Sequence, residues 1–216
     1  MSHAGSGILF VLSGPSAVGK DALLERLLNA DLSAPWVGGL RRCVTATTRA
    51  PRPGEVDGVD YHFWDVHTFE GRLNKGALLE WAQVYGYYYG TPRAGVEQQL
   101  AAGDDVVLKI DVQGGLTVKE RHPEAVMIFL LPPSMAELGA RARGRGTESP
   151  AQLDTRQRDA RLELSQARLY DYLVINDTLE TAVAQVGSII VAERCRTARQ
   201  APRWSRLWEE IERGQA

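Results

Sequence analysis

A glycine-rich run near the start of the chain has the residue types and the spacing that bind phosphate. It reads Gly14, Pro15, Ser16, Ala17, Val18, Gly19 and Lys20. These residues match the first seven positions of the P-loop pattern, in which glycines let backbone N–H groups turn inward around phosphates. A following helix adds partial positive charge at its N-terminus, and Lys20 can reach the β- and γ-phosphates. We call this run the cradle, and it predicts binding of a mononucleotide triphosphate.

The eighth position departs from the pattern. Ser or Thr there normally offers a hydroxyl to Mg²⁺, whereas this chain has Asp21. Two interpretations stay open on the residues alone. The carboxylate of Asp21 binds Mg²⁺ directly or through water, or it turns away and serves as a favourable acidic residue in the first turn of a helix.

The segments around the cradle predict how it is held. Residues 8–12 form a continuous apolar run, typical of a strand buried on both faces of a parallel sheet, and residues 20–30 carry leucines at helical spacing. The strand pattern returns at 106–110, 126–131 and 172–175, each followed by a helical candidate. The sequence therefore predicts an α/β fold, a P-loop core with a mostly parallel sheet flanked by helices.

The composition excludes several classes of protein. The 216 residues include 25 Lys and Arg against 27 Asp and Glu, and the net charge of −2 offers no global field for nucleic acid or an acidic membrane. The two cysteines argue against a disulfide framework and against a zinc site. The longest early apolar run is too short to span a membrane. We expect a cytoplasmic protein without nucleic-acid or membrane partners.

Two internal segments interrupt the alternation of strands and helices. Residues 41–91 carry short aromatic and β-branched runs between turn signals, which predicts a small mixed α+β insert that binds a substrate. Residues 140–168 are rich in arginine and show little apolar striping, which predicts a helical lid over an anion. The core then comprises residues 1–40, 92–139 and 169–195.

The tail, residues 196–216, is predicted to be an amphipathic helix. Its larger apolar residues fall on one helical face: Trp204, Leu207, Trp208 and Ile211. We favour packing of this face on the body of the protein over binding of a partner, and the protein is expected to be a monomer or a homodimer.

Six motifs in a fixed order resemble those of the guanylate kinase family. They are Thr45–Glu55, Gly58–Tyr61, Leu79–Ala82, Tyr88–Thr91, Ile110–Gly114 and Gly144–Glu148. The resemblance runs over about residues 8–192. It implies a P-loop core, a GMP-binding insert and a lid, with phosphoryl transfer from Mg²⁺-ATP to GMP.

The resemblance assigns four residues to the phosphate of GMP: Arg49, Arg52, Tyr61 and Tyr89. Two guanidinium groups can neutralise a phosphate dianion with bidentate geometry, while two phenols donate hydrogen bonds. Guanine would be bound by Glu80, Thr45 and Thr91, with Asp111 nearby. A carboxylate can accept both the N1–H and the N2 amine of guanine, so Glu80 is expected to discriminate against adenine.

The remaining assignments concern the donor. Asp111 follows a predicted strand beside the cradle, where it is expected to hold Mg²⁺, contact guanine, or both. Lys109 stands where the family often has an acid, and it receives no role. The family's lid arginines correspond to Arg141, Arg145 and Arg156, which with Lys20 and Arg49 would stabilise the transferring phosphoryl group. The resemblance places Asn176 against adenine.

Two other functions stay open. Ribose bisphosphokinases that resemble this family also carry Asp after the cradle lysine, so Asp21 fits a kinase of a sugar phosphate as well. A sugar phosphate, however, offers nothing for Glu80 and Thr91 to bind. Guanylate-kinase-like domains that bind proteins typically lack the cradle lysine and the lid arginines, and this chain has Lys20 and Arg141.

Overall fold

Five strands form one parallel sheet in the order β2-β7-β1-β8-β9. The computed structural model describes residues 6–31, 34–84, 86–144 and 150–214, without the side chains of residues 150–157 and 203. The strands are β1 (Leu9–Ser13), β2 (Leu40–Arg42), β7 (Asp105–Lys109), β8 (Val126–Leu131) and β9 (Tyr172–Ile175). The four strands predicted from apolar runs all lie in this sheet, which confirms the predicted fold class.

Helices cover both faces of the sheet. On one face, Phe10 and Leu12 pack with α1 (Lys20–Leu28) and α7 (Leu179–Arg194). On the other face, Leu9 and Val11 pack with α3 (Arg93–Ala101) and α4 (Val112–Arg121). Because successive side chains of a strand point to opposite faces, residues 9–12 of β1 are all apolar, and every residue of β1 is buried. Because β1 is buried, packing in the core holds its C-terminal end in place, and the cradle begins directly after that end.

A second sheet of four strands lies in the insert, in the order β4-β3-β6-β5. Its elements are β3 (Ala46–Thr47), β4 (His62–Phe63), α2 (Val66–Asn74), β5 (Leu78–Val84) and β6 (Tyr87–Pro92). Phe69 of α2 packs fully buried beneath this sheet with Ala46 and Leu78. The predicted start of the insert at residue 41 falls inside β2, which belongs to the core sheet. The short β2 was not predicted.

The arginine-rich segment is helical where it is described. It contains α5 (Met135–Gly144) and α6 (Pro150–Ser165), followed by a short 3₁₀ helix, Ala167–Leu169. The Ser134 hydroxyl accepts from the Glu137 backbone N–H at 3.1 Å, which is half of a capping box. Helix α6 begins at Pro150, a residue whose fixed φ suits the first helical position.

The last helix, α8 (Thr197–Gly214), leaves its apolar face in solvent. The exposed fractions are 56% for Trp204, 51% for Leu207, 47% for Trp208 and 38% for Ile211. The favoured packing of this face on the protein body is therefore wrong for the described residues. The first turn contacts the preceding helix: Gln200 donates to the Arg194 carbonyl at 2.7 Å, and Nη2 of Arg199 lies 3.5 Å from Oε2 of Glu193. Within the described residues, no helix is long and apolar enough to cross a membrane.

Candidate active site

The cradle leaves the end of β1 in a conformation that its glycines permit. Gly14 has a φ of 147° and Gly19 a φ of 103°, both in the region that side chains rarely adopt. Ala17 also has a positive φ, 67°. Such a conformation costs energy for a residue with a Cβ and is concentrated at functional sites. The local backbone therefore has the strained shape expected of a phosphate-binding loop.

Lys20 begins α1 and curls back over the cradle. Its Nζ donates to the carbonyls of Gly14 at 2.6 Å and Pro15 at 3.0 Å. Burial lowers the pKa of Lys20, while the charges of Glu163 and Asp21 act to raise it. Neutral carbonyls stabilise a buried ammonium less than anions do, because charge-assisted hydrogen bonds are the stronger ones. The ammonium is thus placed to gain from an anionic phosphate.

Glu163 of α6 also reaches the cradle, and sequence reasoning missed it. Its carboxylate accepts from the Ser16 backbone N–H and lies near Lys20. Burial raises the pKa of Glu163 to about 7, and the charge of Lys20 opposes that rise. A carboxylate here contacts the kind of backbone donor that a P-loop offers to phosphate. No local pattern marks Glu163, because its position depends on how α6 folds back over the core.

Asn176, at the end of β9, supports the cradle from below. Its side chain is 5% exposed, and its Nδ2 donates to the Val18 carbonyl at 2.8 Å. The Asn176 carbonyl accepts from Nη1 of Arg141 at 3.1 Å, and Nε of Arg141 donates to Glu137 at 2.9 Å. Asn176 therefore shapes the cradle in this structure, and its contact with adenine stays a prediction.

The insert lines a pocket, which we call the insert pocket. Its lining residues from the insert include Thr45, Arg49, Arg52, Tyr61, Glu80 and Tyr89. Glu80 on β5 is its most buried carboxylate, with 2% of the residue exposed. The Thr91 hydroxyl on β6 donates to Glu80 Oε1 at 2.5 Å. Burial raises the pKa of Glu80 to about 7, against the lowering effect of that hydrogen bond. Glu80 and Thr91 thus form one polar unit inside the pocket.

Gly114 in the first turn of α4 makes room for Glu80. A Cβ at Gly114 would lie 2.6 Å from Glu80 Oε2 and 3.1 Å from Asp111 Oδ1. Asp111 caps α4 by accepting from the backbone N–H groups of Gln113 at 3.2 Å and Gly114 at 3.3 Å. Burial raises the pKa of Asp111, and these two hydrogen bonds lower it. The capping residue of a core helix therefore lies against the insert pocket.

The insert pocket also has a cationic wall, formed by Arg49, Arg52, Tyr61 and Tyr89. Nη2 of Arg49 donates to both Glu55 carboxylate oxygens, at 2.8 and 2.9 Å. Cζ of Arg49 lies 5.6 Å from the centre of the Tyr61 ring, which is a cation–π contact. Tyr61 packs edge-on against Tyr89 with ring centroids 6.2 Å apart. Arg52 is exposed, and its backbone N–H donates to Glu55 at 2.7 Å. Glu55 therefore orients Arg49, a role that its place in the Thr45–Glu55 motif did not reveal.

The cradle and the insert pocket open into one cavity. Its lining includes Gly14, Ser16, Lys20 and Asp21 from the donor side, together with the insert-pocket residues named above, Lys109, Asp111 and Glu163. The structure thus brings together most of the predicted site residues. Arg145 lies outside the described residues, as does the side chain of Arg156.

Comparison with known proteins gives one family. A model of the guanylate kinase family matches residues 6–193. A guanylate kinase of Caldanaerobacter subterraneus subsp. tengcongensis is 44% identical over 210 residues, covering 97% of this chain and 99% of the relative. A guanylate kinase of Thermus thermophilus is 48% identical over 193 residues, covering 89% of this chain and 84% of the relative.

A solved structure agrees with these relatives. The crystal structure of guanylate kinase from Anaplasma phagocytophilum superposes with a TM-score of 0.73 at 34% identity, covering 90% of each chain. This chain belongs to the guanylate kinase family. The identification made from the six motifs is confirmed, together with the predicted α/β fold and the assignment as a nucleoside monophosphate kinase.

Two charged residues that line the cavity, Lys109 and Glu163, received no role from the sequence. Lys109 directly precedes the Ile110–Gly114 motif, at a position where the family often has an acid, so the resemblance gave it no role. Glu163 lies in the arginine-rich segment 140–168, and no pattern there singles out its carboxylate. In both cases the sequence does not show which distant residues the side chain contacts.

Proposed function

We propose that this protein transfers the γ-phosphoryl group of Mg²⁺-ATP to GMP, giving ADP and GDP. The observation that supports this most is the shared cavity, in which Lys20 of the cradle and Glu80 of the insert line the same space. A triphosphate on the cradle and a monophosphate in the insert pocket would meet between the two. Proximity and orientation are a large part of what a kinase can supply.

Glu80 is proposed to select guanine. Its carboxylate is buried and already holds the Thr91 hydroxyl, so it is fixed in position before a base arrives. Guanine offers two adjacent donors to a carboxylate, whereas adenine presents no such pair. Buried acceptors left without a donor are costly, so adenine should be rejected. Thr45, which is also buried, completes the pocket that would surround the base.

The cationic wall is proposed to bind the phosphate of GMP. Arg49 is held by Glu55 and by the Tyr61 ring, so that its guanidinium lies inside the pocket with little rotational freedom. Arg52, Tyr61 and Tyr89 line the same space. A planar guanidinium suits phosphate oxygens, and aromatic neighbours exclude water from the ion pair.

The chemical step needs positive charge more than a base. A phosphate oxygen of GMP forms a bond to the γ-phosphorus, the bond from that phosphorus to the β–γ bridging oxygen breaks, and ADP leaves with its electron pair. The nucleophile is already anionic, so stabilisation of the equatorial oxygens is the main task. We assign it to Lys20, Arg49, Arg141, Arg145 and Arg156. The lid, residues 140–168, would close before transfer and exclude water.

Asp21 and Asp111 are the candidates for holding Mg²⁺. Among the described side chains, no group of three His, Cys, Asp or Glu forms a ready metal site. Mg²⁺ on a nucleotide usually needs only one or two carboxylates, since phosphates and water supply the other ligands. Asp21 and Asp111 flank the cavity, so the residues fit that requirement. When bound there, the ion would supply positive charge that neutralises the donor phosphates.

The proposal includes the setting of the enzyme. We propose a core of residues 1–40, 92–139 and 169–195, an insert of residues 41–91 and the lid, acting in the cytoplasm on small nucleotides without nucleic-acid or membrane partners. The protein would act as a monomer or a homodimer.

A substrate panel tests the activity directly. ADP formation from ATP should be measured with GMP, AMP, UMP and a ribose bisphosphate as acceptors. We expect turnover of GMP and none of AMP. Turnover of the ribose bisphosphate without GMP would contradict the proposal and favour the sugar-phosphate kinase that Asp21 leaves open.

A further inference from the structure

Lys109 lines the active-site cavity and brings a positive charge to it. It is the last residue of β7, and its side chain is only 11% exposed. Burying a lysine ammonium is costly unless anions or acceptors surround it. Its position therefore calls for a physical account.

The ammonium of Lys109 touches one residue from each side of the cavity. Its Nζ forms an ion pair with Oδ1 of Asp21, which directly follows the cradle lysine. The same Nζ lies 3.4 Å from the Tyr61 hydroxyl oxygen and 5.2 Å from the centre of the Tyr61 ring. Tyr61 belongs to the cationic wall of the insert pocket. Lys109 thus sits where a donor phosphate and an acceptor phosphate would meet.

Fold stability does not explain this placement. The partner carboxylate of Asp21 is 69% exposed, and an ion pair with an exposed partner adds little to stability. The backbone of Lys109 pairs with Leu12 in the parallel sheet, which does not require a charged side chain. In contrast, an anion in the cavity would be stabilised directly by the largely buried ammonium of Lys109.

We propose that Lys109 is a further catalytic residue that contacts the phosphoryl group in transit between donor and acceptor, and that Asp21 is the residue that positions it. This inference rests on the proposed function. Two anionic phosphates must approach each other for the transfer, and a cation at their junction reduces the repulsion. Asp21 then substitutes for the usual hydroxyl and also fixes the Lys109 side chain through Oδ1.

Kinetics of the Lys109→Met and Lys109→Arg variants test the catalytic role. We expect Lys109→Met to lower kcat by about 100-fold, as loss of one transition-state donor does, with Kd for GMP alone changed less than about threefold. Lys109→Arg should recover part of kcat because it keeps the charge. A kcat for Lys109→Met within about twofold of the parent, or no advantage of arginine over methionine, would overturn the proposal.

A double-mutant cycle tests the positioning role of Asp21. Asp21→Asn should lower kcat by a larger factor in the parent than in Lys109→Met, because only the parent also loses the positioning of Lys109. Equal losses in both backgrounds would refute the coupling. The matched control is the Lys119–Asp171 pair, at 3.1 Å on the core surface, where Lys119→Met should leave kcat unchanged. Thermal unfolding of each variant checks that the fold is retained.

A binding readout separates this inference from the proposed activity. Adenosine and guanosine joined through five phosphates would occupy the cradle and the insert pocket together. We expect Lys109→Met to weaken binding of this compound by about tenfold or more, with GMP binding retained. If the parent binds it but turns over no GMP, the proposed activity fails while the Lys109 contact is still measured. Equal affinity of parent and variant would overturn the Lys109 contact even if GMP is turned over.

Discussion

The cradle and the insert pocket are proposed to bind phosphate esters through different parts of the polypeptide. The cradle is a contiguous run of seven residues whose shape comes from backbone torsions and from the start of α1. The insert pocket collects side chains from residue 45 to residue 91 and closes against Asp111 and Gly114 of the core. Donor binding should therefore depend on backbone conformation and one lysine, and acceptor binding on individual side chains.

We expect Lys20→Met to have the largest effect of these variants, and we expect that effect to concern the donor and not the binding of GMP. Removal of the cradle ammonium takes charge from the transferring phosphates, so we expect kcat to fall by about 10³-fold. GMP binding, measured by calorimetry without ATP, should be unchanged because Lys20 donates its hydrogen bonds to cradle carbonyls and not to residues of the insert. A parallel loss of GMP affinity would break the separation between the two sides.

We expect Gly114→Ala to impair acceptor binding, although the substituted residue lies in α4 of the core and no residue of the insert is replaced. The new Cβ would lie 2.6 Å from Glu80 Oε2, and a displacement of about 1 Å at such a site can cost about 100-fold. We expect this loss in kcat/KM for GMP, with ATP affinity retained. Gly95→Ala in α3 is the matched control, since nothing lies within 4 Å of its Cβ position. Unchanged GMP kinetics for Gly114→Ala would mean that Glu80 can move freely.

Glu80→Gln should weaken discrimination for guanine by about 1–3 kcal/mol, the range for one bidentate base contact. The amide keeps one acceptor but presents a donor where guanine also has a donor. The measurements are kcat/KM for GMP and the affinities for GMP and AMP, compared between parent and variant. Glu97→Gln, on the exposed face of α3, serves as control. GMP kinetics equal to those of the parent would remove Glu80 from the base site.

The smallest expected effect is a pH dependence of GMP binding. The pKa of Glu80 is about 7 because of burial, and its protonated form cannot accept both guanine donors. Affinity should therefore rise with pH, by about tenfold between pH 6 and 8 from this group alone. The GMP phosphate ionises in the same range, so Glu80→Gln provides the baseline. The same slope in both proteins would show that Glu80 does not titrate on binding.

Local signals predicted much of the fold. The apolar runs placed β1, β7, β8 and β9 within one residue, because a strand buried on both faces needs a continuous run of apolar side chains. The short β2 escaped because three residues carry no readable period. The roles proposed for Glu80 and Arg49 come from the resemblance to the guanylate kinase family, because no periodicity in the sequence shows that these residues lie beside the cradle.

The sequence by itself determined the cradle, the parallel core and membership of the guanylate kinase family, because these depend on contiguous runs and motifs. Only the tertiary structure decided that Asp21 pairs with Lys109, 88 residues away, that Glu163 reaches the cradle, and that the apolar face of α8 stays in solvent. The physical reason is that contacts between distant segments depend on how sheets and helices are packed. Such contacts leave no period or spacing along the chain.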